Sequence, residues 1–249
     1  MIEYFIFPIR IIYKIYFFLF FAISLILLYP ILYFLLSNSS RFSKAFVVMR
    51  IQAYLLLVFA GVYMKIKGRL NIPKYGSFII CPNHSSYLDI PCLYVLFHNY
   101  FVFTGKKEIE KWPLFHIYYT SGMNILVDRG SKTGSIKALK RMIQEIDRGH
   151  PLMIFPEGTI SKHVPKLAPF KSGAFAIAIQ KQIPILPVTF VTNWKRLQRS
   201  GLWKGKAGPG ISKVVIHAPI ITTGLNKDHI DQLRNEVQSI ISGPLSSDF

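Results

Sequence analysis

The sequence predicts an α/β domain with a mostly parallel central sheet flanked by helices, preceded by an N-terminal membrane-associated helical segment. Three observations lead to this prediction. Residues 15–40 contain no charged side chain. Glu3 is the only acid among the first 88 residues, which carry nine basic side chains. After residue 76, short apolar runs alternate with helical patterns, which is typical of α/β folds. We therefore divide the chain into a membrane-associated helical hairpin, 1–65, and an α/β domain, 66–249.

The first apolar run exceeds the roughly 20 residues that a helix needs to cross a bilayer. Pro30 lies inside it and predicts a kink or two shorter helices. The second apolar run, 51–64, is shorter and favours an interfacial or re-entrant helix. A transmembrane span, a hairpin that dips into one leaflet and a buried core helix are the alternatives for this segment.

The composition indicates which partners to expect. There are 30 basic and 12 acidic residues, for a net charge of +18, and 51% of the residues are hydrophobic. Because nucleic-acid binders are rarely so apolar, we expect anionic membrane lipids and acidic small molecules, and no nucleic acid. Basic residues are more numerous after the long run than before it, which predicts a cell-membrane protein with its α/β domain on the cytoplasmic face. Cys81 and Cys92 form no metal or redox motif and are predicted to be buried, reduced thiols.

The α/β domain is predicted from its pattern of apolar residues. Strands are expected near residues 77–81, 100–104, 124–127, 152–155, 185–190 and 213–217. Two helices are expected from apolar residues at helical spacing: Ile136, Leu139, Ile143 and Ile146 in one, and Ile230, Leu233, Val237 and Ile240 in the other.

His84 and Asp89 follow the first of these strands, five positions apart. A carboxylate bonded to one imidazole nitrogen leaves the other nitrogen able to take a proton, so the pair can deprotonate a hydroxyl. Five residues of helix turn the chain by about 500°, so the two side chains cannot share one helix face. His84 is therefore predicted in a loop, and Asp89 in the first turn of a helix that starts near Ser86.

Two alternatives apply to the same pair. Asp89 has the spacing of a helix-capping acid relative to Ser86, and His84 would then be an ordinary surface residue. The pair can also be half of a metal site, but no nearby Cys, His or Glu completes a set of ligands, so no metal is predicted.

Two further motifs follow predicted strands as His84 does. They are Asp128 with Arg129, and the run Pro156, Glu157 and Gly158. In open parallel sheets ligands bind beyond the carboxyl ends of the strands, so the three motifs are expected to share one crevice. Arg129 carries a planar, permanent charge suited to phosphate, with a surface ion pair to Asp128 as its alternative.

Several segments, taken in order, resemble the glycerolipid acyltransferases. These segments are Asn83-His84-x4-Asp89, Gly122 through Val127-Asp128-Arg129, Phe155-Pro156-Glu157-Gly158-Thr159 and Pro184 to Val188. The resemblance covers residues 66–225. It implies an enzyme that esterifies the free hydroxyl of a lysophospholipid, with 1-acylglycerol 3-phosphate (lysophosphatidate) as acceptor and phosphatidate as product. The implied donor is acyl-CoA or acyl carrier protein as co-substrate, with no other cofactor.

The resemblance also implies roles for residues. His84 is the general base and Asp89 its orienting partner, while Lys106 joins Arg129 as a phosphate contact. Glu157 can hold a glycerol hydroxyl, and Gly158 and Thr159 belong to the same acceptor-binding segment. Backbone amides near Gly158 or His84 are expected to stabilise the oxyanion.

The sequence departs from the family pattern at two positions. Ile160 stands where the family commonly has an arginine, and His116 where it often has a glycine. The first departure removes a phosphate contact and leaves open another acceptor, such as an amino-acid-containing lipid or lysophosphatidylethanolamine. A non-catalytic module that binds anionic lipid is the alternative from another class, but such a module has no need of His84 with Asp89.

Overall fold

The computed structural model describes residues 2–111, 114–128 and 130–246, with side chains from Phe7 onward. These residues form one seven-stranded sheet in the order β1-β7-β6-β2-β5-β3-β4. The strands are β1 (Val62–Lys67), β2 (Ile79–Pro82), β3 (Val102–Lys106), β4 (Ile125–Val127), β5 (Leu152–Met153), β6 (Ile185–Phe190) and β7 (Gly210–Ile216).

The sheet is mostly parallel, which confirms the predicted fold class. Strands β6, β2, β5, β3 and β4 all run the same way. Strand β7 is antiparallel to β6, and β1 is parallel to β7. The carboxyl ends of the five parallel strands therefore meet at one edge, where the three sequence motifs were expected.

Strand β1 was not predicted, because residues 62–64 continue the second apolar run without a polar break. The run is a helix as far as Phe59, and the chain then turns at Gly61, whose φ of +64° is left-handed. Val62 to Lys67 pair with residues 210–215 of β7. The proposed boundary between residues 65 and 66 thus falls inside a strand of the sheet, and the division into two units stays a prediction.

The helices are α1 (Ile2–Leu36), α2 (Phe42–Phe59), α3 (Asp89–Leu96), α4 (Ile117–Thr120), α5 (Lys132–Asp147), α6 (Gly173–Lys181), α7 (Asn193–Arg196) and α8 (Ile230–Ser246). α1 continues through Pro30 as one helix, contrary to the expectation of two shorter pieces. α5 buries Ala138, Met142 and Ile146, whereas Ile136 and Leu139 are exposed, so the predicted apolar face is rotated in the structure. In α8, Leu233 and Val237 are buried as predicted.

The helices cover both faces of the sheet. α1 to α4 pack on one face around a core that includes Phe46, Leu93 and Phe101. α5, α6 and α8 pack on the other face around a core that includes Ala178 and Val237. The domain therefore has three layers, and the N-terminal hairpin is the outermost part of one of them.

The α1–α2 hairpin is apolar on both its inner and its outer surface. Both helices are long and apolar enough to cross a membrane, judged by length and composition. Leu25 and Leu32 of α1 are buried, whereas Leu27 of the same helix is 71% exposed. On α2, buried residues recur from Phe42 to Leu57, so this helix packs along the domain over its whole length.

Adjacent positions of α2 provide a test of this packing. Leu57 is buried and Leu55 is 41% exposed. We expect Leu57→Ala to lower the free energy of unfolding by about 2–5 kcal/mol, because it leaves a cavity between α2 and the domain. Leu55→Ala should lower it by about 0.5 kcal/mol or less. Thermal unfolding in a single detergent measures both, and equal destabilisation by the two substitutions would contradict this packing.

Candidate active site

His84 and Asp89 form the pair that the sequence predicted. The Nδ1 atom of His84 lies 3.0 Å from Oδ2 of Asp89, and Asp89 is fully buried while the His84 side chain is 13% exposed. Because an ionised carboxylate only accepts hydrogen bonds, Nδ1 carries the proton. The Nε2 atom is thereby left without a proton and able to accept one.

Asp89 also acts as the capping residue that was the alternative interpretation. Its Oδ2 accepts hydrogen bonds from the backbone N–H groups of Ser85 and Ser86 at 2.6 and 2.8 Å. Asp89 is the first residue of α3, so the helix begins three residues later than predicted. A negative charge at this position is also favoured by the helix dipole. One carboxylate therefore both caps the helix and orients the imidazole.

Asn193 completes the surroundings of Asp89 and was missed by sequence analysis. Its side-chain amide donates to Oδ1 of Asp89 at 2.8 Å, and its own Oδ1 accepts from the Ser212 hydroxyl at 2.5 Å. Asn193 begins α7 directly after β6, at the same sheet edge as His84. A polar residue soon after a predicted strand was the signal that could have identified it.

The Phe155–Thr159 segment holds His84 from the other side. The His84 ring stacks on Phe155, with 3.8 Å between ring centroids and 10° between planes. The backbone N–H of His84 donates to Oε1 of Glu157 at 2.7 Å, and the backbone N–H of Ser161 donates to the His84 carbonyl at 2.9 Å. Both the ring and the main chain of His84 are therefore fixed.

Both oxygens of Glu157 are used within the protein. Oε2 accepts from the backbone N–H of Ala168 at 2.7 Å, and the residue is 4% exposed. Burial raises the pKa of the Glu157 carboxyl to about 7. These contacts favour a positioning role, and the predicted contact of Glu157 with a substrate hydroxyl stays a prediction.

The sequence predicted oxyanion donors among the backbone amides near Gly158 or His84, and the amides of these two residues have internal partners. The His84 amide donates to Glu157, and the Gly158 amide donates to the Phe155 carbonyl at 3.0 Å. Gly158 has a φ of +69°, a conformation that favours glycine. These two amides are therefore engaged within the protein, and the prediction for the other amides near them stays a prediction.

A pocket of about 210 Å³ opens beside His84. It brings together four predicted site residues, namely His84, Lys106, Gly158 and Thr159. Asp89 and Glu157 lie behind the pocket wall rather than in it. Arg129 lies outside the described residues, and its role stays a prediction. Its neighbour Asp128 accepts a hydrogen bond from Lys107 at 2.9 Å.

Arg199 is a second cation in this pocket and was not predicted. Its Nη1 donates to the Thr159 hydroxyl at 3.0 Å. No acidic residue is among the described residues that line the pocket. Ile160, which stands where the family commonly has an arginine, lines the pocket too. Arg199 therefore supplies a guanidinium close to the position where the sequence lacks one.

The loop that carries Arg199 is attached to two distant segments. The Ser86 hydroxyl donates to the Leu197 carbonyl at 2.6 Å. Lys14 of α1 donates to the carbonyls of Gly201, at 2.9 Å, and of Lys204. No sequence pattern indicates these contacts, because each joins residues more than 100 positions apart.

An apolar cavity of about 70 Å³ adjoins the pocket and shares Ile90, Phe103 and Tyr119 with it. Residues of α1 to α4 line the cavity. At the pocket entrance, Phe18 of α1 contacts Tyr87 edge-on, with ring centroids 5.8 Å apart. The pocket therefore lies directly against the apolar hairpin.

The two cysteines are buried as predicted. Burial raises the pKa of the Cys81 thiol, and it raises that of Cys92 to about 12. Neither thiol is therefore suited to act as a nucleophile near neutral pH.

Within the described residues, no group of three or more His, Cys, Asp or Glu side chains could hold a metal ion.

Comparisons with known proteins find sequence relatives and a structural relative of this chain. The family model described as "Acyltransferase" matches residues 63–191, just over half of the chain. A 1-acyl-sn-glycerol-3-phosphate acyltransferase from Helicobacter pylori is 38% identical over 132 residues, which are 51% of this chain and 55% of that protein. One from Saccharomyces cerevisiae is 31% identical over 188 residues, 74% of this chain and 60% of that protein. The chain thus spans somewhat over half the length of these relatives.

A solved structure shows the same fold. The crystal structure of the 1-acyl-sn-glycerophosphate (LPA) acyltransferase from Thermotoga maritima has a TM-score of 0.76 to this chain. The match covers 93% of this chain and 92% of that one, at 23% sequence identity. The family match includes the strands that bear His84, Lys106 and Glu157 at their carboxyl ends. The chain belongs to the acyltransferase family.

Proposed function

We propose that this protein transfers an acyl chain from a thioester to the free hydroxyl of 1-acylglycerol 3-phosphate, giving phosphatidate. The observation that carries the proposal is the oriented His84–Asp89 pair at a pocket that also contains Lys106 and Arg199. The names of the relatives support the choice of acceptor, since several are 1-acyl-sn-glycerol-3-phosphate acyltransferases.

The reaction requires one proton to move twice. Nε2 of His84 takes the proton of the acceptor hydroxyl as its oxygen attacks the thioester carbonyl. Asp89 stabilises the imidazolium that forms. The tetrahedral intermediate then collapses, the carbon–sulfur bond breaks, and the imidazolium returns the proton to the thiolate. The amides of His84 and Gly158 are already engaged, so we assign stabilisation of the oxyanion to the other backbone amides near these two residues.

The donor in this proposal is acyl-CoA or acyl carrier protein. Both are acidic, and a net charge of +18 attracts them to the protein surface. The apolar cavity next to the pocket accommodates part of an acyl chain, since it shares a wall with the site that holds His84.

The acceptor phosphate lies between Lys106 and Arg199 in this proposal, with Arg129 as a further contact. Guanidinium and ammonium groups bind phosphate through charge-assisted hydrogen bonds. An amino-acid-containing lipid or lysophosphatidylethanolamine remains the alternative acceptor, because Ile160 replaces one arginine of the family pattern. Arg199 favours the anionic acceptor, since it restores a permanent positive charge beside Thr159.

We further propose that the α1–α2 hairpin lies in one leaflet of the cell membrane, with the domain on the cytoplasmic face. α2 packs along the domain over its full length, so the hairpin cannot cross the bilayer without carrying the domain with it. The outward apolar side chains, such as Leu27, would then contact lipid. The contact of Phe18 in α1 with Tyr87, which lines the pocket, supports a pocket that opens towards the membrane surface, where a lipid acceptor arrives.

Substitution of the catalytic pair tests the central claim. His84→Ala should lower kcat by about 10² to 10⁴, the usual contribution of a general base, with little change in the acceptor KM. Asp89→Asn should have a smaller effect, because it keeps the shape and loses the charge. His229→Ala, on the far side of the sheet, serves as control.

The assay uses a panel of lyso-acceptors with both donors, after circular dichroism has checked each fold. Near wild-type kcat in His84→Ala would refute the base assignment. If the wild-type protein is inactive towards every acceptor, the non-catalytic lipid-binding alternative is favoured.

Arg199→Ala tests the acceptor site. Loss of a charge-assisted hydrogen bond costs roughly 1.5–3 kcal/mol, so the KM for lysophosphatidate should rise about 10- to 150-fold. The kcat should change little, because the phosphate contact is the same in ground and transition states.

Arg199→Lys should restore part of the affinity, and Arg234→Ala on α8 is the control. An acceptor without phosphate should not distinguish Arg199→Ala from the wild type. An unchanged KM would transfer the role to Lys106 and Arg129.

The Glu157 carboxyl predicts a pH-dependent stability. Its raised pKa means that the folded chain keeps a proton between about pH 4.5 and 7 that the unfolded chain has lost. The free energy of unfolding should therefore fall as pH rises through this window, by roughly 3 kcal/mol. Glu157→Gln lacks this contribution, so its stability relative to wild type should increase from pH 5 to pH 8. Glu236→Gln, an exposed control, should show no such trend, and a pH-independent difference for Glu157→Gln would contradict the pKa assignment.

A further inference from the structure

A cavity of about 620 Å³ lies at the amino ends of the parallel strands, across the sheet from the catalytic pocket. Phe78, Phe101 and Pro151, which directly precede β2, β3 and β5, line it. The cavity shares no lining residue with the catalytic pocket among the described residues. Its volume is within the range of pockets that bind small molecules. It is therefore a separate candidate site, larger than the pocket beside His84.

Basic side chains lie in and beside the lining of this cavity, and no acid is among the described residues that line it. Arg50 and Arg69 both donate to Nε2 of His98, at 3.5 and 3.2 Å. Arg69, Lys74 and His98 line the cavity, and Arg50 contacts His98 from just outside this lining. Neither arginine forms an ion pair with another described residue. The acid behind the opposite wall, Glu145, is already paired with Arg141, Arg148 and His150. Two guanidinium groups thus share one neutral imidazole nitrogen.

An anionic oxygen would be a better partner for these two arginines than His98. Hydrogen bonds between ionised groups are roughly twice as strong as those with a neutral acceptor. A phosphate group offers several such oxygens, in a geometry that suits the guanidinium fork. The charge at the rim therefore indicates a phosphate-bearing ligand.

The remaining surroundings indicate that the ligand is a lipid. Phe46, Ile72 and Phe97 give the cavity apolar walls. Leu70 and Tyr75 at its rim are 99% and 90% exposed, which is unusual for large apolar side chains. Val47, also at the rim, belongs to the outward face of α2. The cavity thus opens beside the surface that the proposed function places in the membrane.

We propose that this cavity binds one anionic phospholipid, with its phosphate on Arg50 and Arg69 and an acyl chain between the aromatic walls. Leu70 and Tyr75 insert into the membrane interface next to it. The hairpin then supplies attachment to any bilayer, and this second site adds a preference for anionic lipid. The inference rests on the proposed orientation of the hairpin, but not on the identity of the acyl acceptor.

The test measures binding of short-chain phosphatidylglycerol, below its micelle concentration, to the full-length protein by calorimetry. Arg50→Gln with Arg69→Gln should weaken binding at least about tenfold, because two charge-assisted hydrogen bonds are lost. Lys137→Gln with Lys140→Gln, which removes the same charge from exposed positions of α5, should bind as the wild type does. Short-chain phosphatidylcholine should bind more weakly than phosphatidylglycerol, and glycerol 3-phosphate should compete poorly because it lacks the acyl chains.

A second variant keeps the test valid if the double arginine variant does not fold. His98→Glu puts a carboxylate between the two arginines, so it should abolish phosphatidylglycerol binding without destabilising the fold. Unchanged binding in both variants would overturn the site, and glycerol 3-phosphate competing as well as the lipid would overturn its assignment to lipid. Binding to neutral phosphatidylcholine vesicles and esterification of a soluble short-chain acceptor should survive in both variants. If the wild-type protein neither binds these neutral vesicles nor esterifies the soluble acceptor, that result counts against the proposed function and not against this second site.

Discussion

The active site depends on how one fully buried carboxylate is compensated. A buried charge is tolerated only when it is paired and hydrogen-bonded, and Asp89 meets this condition with groups from two segments of the chain. His84, Ser85 and Ser86 come from the loop after β2, and Asn193 comes from the turn after β6. Ser212 of β7 in turn orients Asn193. The strand order β7-β6-β2 makes these groups neighbours, so the sheet topology also determines the orientation of the His84 imidazole.

Sequence reasoning succeeded where the physical cause is local. The spacing of His84 and Asp89, and the turn residues that end each predicted strand, determine nearby geometry, so the crevice could be predicted. β1 could not, because its apolar residues continue those of α2 and only Gly61 marks the change. Asn193 and Arg199 reach the site through contacts with residues 104 and 40 positions away, respectively. Contacts between residues so far apart in sequence depend on the order of the strands in the sheet. The residue pattern of a single strand does not indicate that order.

Two acids of the site act on the same histidine from opposite sides. Asp89 fixes the ring through Nδ1, and Glu157 fixes the main chain through the backbone N–H. Neither carboxylate lines the pocket. Both acidic side chains of the site thus serve to position His84, and the pocket itself is lined by the cations Lys106 and Arg199. Such a division suits an anionic acceptor, because a carboxylate in the pocket would repel a phosphate.

Lys14 joins the apolar hairpin to the loop that carries Arg199, through the carbonyls of Gly201 and Lys204. This contact couples two binding events thermodynamically. If binding of α1 to lipid alters the position of the loop, the affinity of the pocket for an anionic acceptor changes with it. Thermodynamic reciprocity then requires the bound acceptor to change the affinity of the protein for the membrane by the same factor. Detaching the hairpin from lipid would then change the affinity of the pocket for an anionic acceptor even when that acceptor is presented in solution.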